Sequence, residues 1–355
     1  MSQLTGSVSC LCGKVAQDVG LDPSGKLSAL QLCHCNSCRF ASGLLCISYL
    51  SLGSKPHIDS NLKEYRQSDK ISRWFCTTCG AHAFAHNKQD HRYLVAAGLL
   101  TTTGTAETKS VTHYGVQDTL DGGLSMVLPG PITEGNSCWL EVGTTGSRAA
   151  TEQQAPGSLN NEISPQADHL EGQCHCGGIK FSVTRPTRSS SSVSSPWPDL
   201  LVPYYSSSSE NPQDIKWWLR ADETKYLAGC CTCKSCRLAS GFDIQTWAFI
   251  PKTNIFQADN SQLTYGTGTM QQFESSPKVW REFCNSCGAT IFWHCQERPG
   301  VVDVSVGLLR AKTGARAEDW LQWATGRVSF AEEAKNKSLT AMLENSLQRS
   351  SSGNQ

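Results

Sequence analysis

Apolar residues in this chain come in short runs. LLCISYL (44–50), YLVAAGLL (93–100), TWAFI (246–250) and VVDVSVGLL (301–309) stand among Gly, Pro, Asn and Ser. Runs of that length, punctuated by turn formers, predict strands. No long amphipathic helix stands between them. Only in the tail do Leu339, Met342, Leu343 and Leu347 fall at helical spacing. Ser329-Phe-Ala-Glu reads as the capping box that would start that helix. The pattern predicts a mainly β protein of mostly antiparallel strands with a short C-terminal helix.

The pattern also occurs twice. GSVSCLCGKV (6–15) matches EGQCHCGGIK (171–180), and CHCNSCRFASG (33–43) matches CTCKSCRLASG (231–241). RWFCTTCGAHAFAH (73–86) matches REFCNSCGATIFWH (281–294), and VAAGLL (95–100) matches VSVGLL (304–309). Four blocks in one order indicate a tandem duplication. A first domain is expected over 3–142 and a second over 169–330. The polar stretch 143–168 reads as a flexible linker. Residues 331–355 form a tail, part helical. The second copy carries an extra Ser- and Pro-rich segment at 184–214, expected as a mobile surface loop that could shield the second site.

Charge narrows the partners. Thirty-one basic and 31 acidic residues cancel, which removes the electrostatic basis for nucleic acid or an anionic membrane as partner. No apolar stretch approaches the roughly 20 residues of a membrane-spanning helix. The opening MSQLTGSVSCLCGK lacks a secretory apolar segment, so a reducing compartment is expected: the cytoplasm, with the nucleus left open.

Eighteen cysteines, most in C-x-C or C-x-x-C pairs, then favour metal sites over disulfides. On a strand both sulfurs of a C-x-C share a face, and a C-x-x-C-G turn presents two more. Cys10 and Cys12 with Cys76 and Cys79, and Cys174 and Cys176 with Cys284 and Cys287, would make two closed four-thiolate sites. That leaves Cys33, Cys35 and Cys38, and Cys231, Cys233 and Cys236, as three-cysteine runs with an open fourth position, the catalytic zinc pattern. Other partitions of seven thiolates stay open, as does a fourth ligand from elsewhere. His86 and His294 are candidates because they recur at one place.

The order Cys-x-Cys-Gly, Cys-His-Cys-x-x-Cys-Arg-x-x-Ser-Gly, Phe-Cys-x-x-Cys-Gly and Val-x-x-Gly-Leu-Leu resembles the glutathione-dependent formaldehyde-activating enzyme family, also called centromere-protein-V-like. The resemblance covers nearly all of both copies. It implies two tandem β-tent domains, each with two zinc ions partitioned as above. It also implies a carbon–sulfur lyase, adding glutathione as co-substrate to formaldehyde to give S-hydroxymethylglutathione. The expected partner is a small-molecule thiol or thiol adduct, with Cys33, Cys35, Cys38, Cys231, Cys233 and Cys236 carrying the chemistry. The rival is a zinc-stabilised module that binds a protein partner without catalysis.

Neighbouring residues refine these expectations. Arg39 and Arg237, directly after each run, could offset thiolate charge or grip a glutathione carboxylate; backbone hydrogen bonding is the alternative. His34 could move a proton, or could point away from the metal. Thr232 replaces it in the second copy, so the first domain is expected to be the more active. Cys230 should point away from its run, and Cys46, Cys138 and Cys295 read as buried apolar residues.

Overall fold

Strand pairing builds each repeat around its cysteine blocks. A computed structural model describes residues 4–23, 28–102, 107–133, 138–141, 169–198, 200–203 and 210–352. The expected linker at 143–168 lies outside the described residues. In the first repeat an antiparallel five-stranded sheet runs Tyr49–Ser51, Arg92–Ala96, His82–Asn87, Ile71–Cys76 and Leu62–Arg66. A three-stranded sheet joins Ala16–Gly20, Thr5–Ser9 and Leu100–Thr102. Ala29–Cys33 and Ser110–Tyr114 make a parallel pair. The second repeat follows the same plan in a larger sheet, where Lys225–Cys231 pairs with Gln245–Pro251 and, in parallel, with Leu321–Trp323. The protein is mainly β, as the apolar runs predict.

Three α-helices occur among the described residues: α1 (Asn36–Ser42), α2 (Lys234–Ser240) and α3 (Lys337–Ser352). The first two, seven residues each, carry the last cysteine of each run. They end at Gly43 and Gly241, both left-handed at φ 81° and 85°. The tail helix starts later than the capping box suggests. Residues 331–333 form an isolated 3-10 turn, and Asn336 Oδ1 accepts from the Leu339 amide at 3.2 Å at the start of α3. Leu339, Leu343 and Leu347 are buried, which contributes roughly 1.5–3 kcal/mol each to docking. No helix among the described residues is long and apolar enough to cross a membrane.

The two repeats pack against each other through reciprocal contacts. The Leu11 amide donates to Leu238 O at 3.1 Å, and its counterpart, the His175 amide, donates to Phe40 O at 2.9 Å. Gly98 N donates to Gly241 O and Gly307 N to Gly43 O. Lys63 Nζ reaches Asn285 O at 2.7 Å, while Gln271 Nε2 reaches Thr77 O at 3.0 Å. Each contact and its partner join matching positions of the two blocks, the mark of a two-fold, self-complementary interface built inside one chain.

The Ser/Pro-rich segment is anchored to the second repeat at buried points. Ser190 and Leu200 are buried. Ser190 Oγ donates to Asn254 Oδ1 at 2.7 Å, and Trp218 Nε1 donates to Ser190 O at 3.1 Å. Its described part is tied to the second repeat's sheet.

Candidate metal and thiol-binding sites

Four groups of cysteine sulfurs assemble where the strands end. Cys10, Cys12, Cys76 and Cys79 form one group, and Cys174, Cys176, Cys284 and Cys287 its counterpart. Within each group all sulfurs lie within 4.8 Å of one another. Cys10 to Cys12, Cys12 to Cys76, Cys174 to Cys176 and Cys176 to Cys284 are each 3.5 Å. A tetrahedron of sulfurs about 2.3 Å from a metal has edges of about 3.8 Å, far longer than a disulfide at about 2.05 Å. The spacing suits thiolates around an ion, and all eighteen cysteines are free of disulfides. Backbone amides aim at these sulfurs: Val15 N at Cys10 Sγ (3.4 Å) and Ile179 N at Cys174 Sγ (3.3 Å). Such donors favour the ionised form.

The local geometry differs in one respect from the strand argument. Cys10 closes the strand Thr5–Ser9 and Cys12 sits in the following turn, so it is the turn that brings the two sulfurs together. The C-x-x-C side matches expectation. Gly80 and Gly288, at φ 77° and 79°, let the chain turn back, and their amides donate to Cys76 O and Cys284 O. Without a cation the crowded thiols would share protons. Cys12 falls to about 7, its hydrogen bond with Cys79 foremost, while Cys76 rises to about 12 through Cys10.

The three-cysteine runs diverge. In the first repeat Cys33, Cys35 and Cys38 are joined by Cys138, whose Sγ lies 3.5 Å from Cys38 Sγ. Cys138 is therefore not the isolated apolar residue its sequence setting suggests. The neighbouring Trp139 amide donates to Cys33 Sγ at 3.4 Å, and Asn87 Nδ2 holds Leu140 O at 2.9 Å. These contacts pin the segment over the cluster. In the second repeat Cys231, Cys233 and Cys236 stand as three among the described residues.

The reason lies in where the paths of the two repeats part. His34 N donates to Tyr114 O, and Thr232 N donates to Ser329 O. Gly115 and Phe330 both follow in the left-handed conformation, and each opens a 3-10 turn. Asp118 then accepts from Asn36 N as Glu333 accepts from Lys234 N. Beyond that point the first repeat comes back to its cluster with Cys138, whereas the second continues into α3.

A cavity of about 840 Å³ opens over the second cluster, toward the upper end of the roughly 300–1,000 Å³ common for small-molecule pockets. Cys231, Cys233 and Cys236 line it together with Arg281, Arg327 and a wall of aromatic rings. Trp197 and Leu200 of the Ser/Pro-rich segment also line it. That segment builds a wall of the second site.

The arginines beside the sulfurs are Arg73 and Arg281, not the two singled out by adjacency. Arg73, fully buried, donates from Nη2 to Cys38 Sγ at 3.1 Å and from Nε to Gln67 Oε1. Arg281 Nη2 lies 3.5 Å from Cys236 Sγ and 3.0 Å from Ser235 Oγ, and its Nε has no partner among the described residues. Burial works against both charges, but the nearby thiols, with Tyr49 beside Arg73, outweigh it and raise both. Cys236 is lowered in turn, chiefly by its bonds to Cys231 and Cys233, with Arg281 adding. Arg39 instead bonds Asn36 Oδ1 at 2.7 Å, and Arg237 bonds Gly98 O across the repeat interface. The recurrence of Arg73 and Arg281 at one place in the Phe-Cys-x-x-Cys-Gly block was the sequence signal available for them.

The histidines stay out of the clusters. His34 Nε2 pairs with His113 Nδ1 at 2.9 Å, and His113 Nε2 donates to Leu128 O at 2.8 Å. Burial holds His34 well below its usual range. His86 stacks on Tyr93, and His294 stacks on Tyr265 and contacts Glu282 at 3.1 Å. Cys46, Cys230 and Cys295 are buried outside the four clusters.

One comparison with known proteins marks both repeats. The family model described as glutathione-dependent formaldehyde-activating enzyme matches residues 5–117 and 215–323, together more than half of the chain. A solved structure of a Rhodobacter sphaeroides protein is similar at 17% identity over 43% of this chain and 99% of that one, with a TM-score of 0.24. No curated protein matches.

Proposed function

The chain belongs to the glutathione-dependent formaldehyde-activating enzyme family, and on that premise we propose that it is a zinc-dependent carbon–sulfur lyase working at its second repeat. Its substrates are glutathione, or another thiol, and adducts such as S-hydroxymethylglutathione. One observation carries the assignment: Cys231, Cys233 and Cys236 face a cavity of about 840 Å³, whereas Cys138 completes the equivalent set in the first repeat. The two four-cysteine sets at Cys10 and Cys174, and the cluster closed by Cys138, then serve structure. This places chemistry in the repeat that lacks the counterpart of His34.

Cys231, Cys233 and Cys236 would hold a zinc ion, which would supply the positive charge that favours the ionised form of an incoming thiol. The rest is done by the chain. Three thiolates and a divalent ion leave one negative charge, and the buried Arg281 guanidinium offsets it. The aromatic wall limits water at the reacting carbon, which strengthens these electrostatic terms. Arg327, at the cavity beside Glu332, offers a fork for a glutathione carboxylate.

The test is NMR exchange between glutathione, formaldehyde and S-hydroxymethylglutathione, with metal content measured in parallel. Cys233→Ser should abolish catalysed exchange, and Cys35→Ser should leave it in whatever protein remains folded. Exchange lost with Cys35→Ser in folded protein, but kept with Cys233→Ser, would reverse the assignment.

A further inference from the structure

The two repeats differ where the second one faces its cavity. Ala85 and Trp293 hold the same place in matching blocks, and Ser51 and Phe249 stand eight residues beyond Gly43 and Gly241. Both aromatic replacements line the cavity, with Trp247 beside them and Trp197 contributed by the Ser/Pro-rich segment. This wall is also held in place. Arg298 is fully buried, pairs with Asp303, and lies 5.0 Å, 5.5 Å and 5.3 Å from the ring centres of Trp197, Phe249 and Trp293. A cation among rings, fixed by a carboxylate, preorganises their faces. A hydroxymethyl group, one carbon and one oxygen, is too small to cover such a wall.

We propose that the open site of the second repeat takes thiol adducts whose carbonyl half is aromatic. The sulfur sits at Cys231, Cys233 and Cys236, and the aryl ring lies against Trp293, Phe249 and Trp197. The proposal rests on the open-site reading above and specifies its substrate. In the release direction the C–S bond of the hemithioacetal breaks and its electron pair goes to sulfur. The hydroxyl oxygen gives up its proton to solvent as the carbonyl forms. The products are a thiolate, a proton and an aromatic aldehyde, and no oxidant or reductant enters.

Binding tests this without relying on turnover. The zinc-loaded full chain is titrated with phenylmethanethiol and with 2-mercaptoethanol, by calorimetry and tryptophan fluorescence. Aromatic contacts beyond burial are worth about 0.5–1.5 kcal/mol per pair, so phenylmethanethiol should bind about tenfold tighter or better. The double substitution Trp293→Ala, Phe249→Ser, which installs the first repeat's residues, should bring the ratio of the two constants toward one. Equal constants in the wild type would overturn the aromatic assignment and leave the open site standing. An unchanged ratio in the double variant would overturn it as well. Binding of neither thiol would remove the open-site reading itself. Should the double variant lose its metal, ethanethiol, phenylmethanethiol and naphthylmethanethiol on the wild type decide: affinity must rise with ring size.

Discussion

The sulfur of Cys138 lies 3.5 Å from that of Cys38, a residue 100 positions earlier in the chain. This one contact separates the fates of two otherwise matching cysteine runs. With Cys138 present the first cluster brings four sulfurs within 4.8 Å of one another, enough to surround one ion; without a counterpart, the second faces its cavity.

Replacing Cys138 should therefore make the first cluster resemble the second. In Cys138→Ser, cobalt loaded in place of zinc should lose one thiolate-to-metal charge-transfer contribution, and its ligand-field bands should shift. Even an outer-shell partner is worth on the order of 10–100-fold in metal affinity, so losing a direct ligand should weaken binding at that cluster at least as much. A cobalt spectrum identical to that of the wild type would mean that Cys138 does not ligate.

Arg73 makes a second test, because its guanidinium is buried against Cys38 and Tyr49. Arg73→Met keeps bulk but removes the charge that offsets the thiolate cluster. Breaking one side of a buried ionic pair costs about 3–5 kcal/mol. Urea denaturation of the metal-loaded protein should show a midpoint reduced accordingly. An unaltered midpoint would show that the arginine does not balance thiolate charge.

Much of this arrangement is written in local spacing. Strands follow from runs such as TWAFI and VVDVSVGLL, and all fourteen motif cysteines fall into the clusters that pairwise chelation suggests. What spacing cannot convey is which distant residue comes back. Cys138 stands in no C-x-C or C-x-x-C pair, so only tertiary structure brings it to Cys38. Arg39 attracted notice by adjacency, yet on α1 the residue after Cys38 points to Asn36 and Phe40. Arg73 reaches the sulfur from a strand 35 residues away. The short helices α1 and α2 were hidden by the metal-binding motif itself, although Gly43 and Gly241 are ordinary helix stops.

Acid should destabilise the fold through buried neutral histidines as well as through the thiolates. Burial lowers His82 from its ordinary 6.5 to about 3 and His113 to about 4. The unfolded chain then binds more protons below pH 6.5, so stability is full above that value. It falls as pH drops toward the folded values. At pH 5 each histidine should cost about 2 kcal/mol. Denaturation midpoints between pH 8 and 5 should decline, and His82→Phe should show a shallower decline than wild type. An equal slope in that variant would exclude His82 as a contributor.

The repeat interface gives a prediction that separates backbone strain from crowding. At Gly43 an added Cβ would lie 2.1 Å from Thr290 O, and at Gly241 2.5 Å from His82 O, with positive φ at both. Gly266 also has positive φ, at 69°, but nothing lies within 4 Å of its added Cβ. Gly266→Ala should cost only the left-handed strain, about 1–2 kcal/mol. Gly43→Ala and Gly241→Ala carry that strain and must also push the repeats apart, an overpacking penalty of about 1–3 kcal/mol more. Chemical denaturation of the three variants should therefore place Gly43→Ala and Gly241→Ala together, below Gly266→Ala. Three equal losses would mean that the repeats do not press against each other at these glycines.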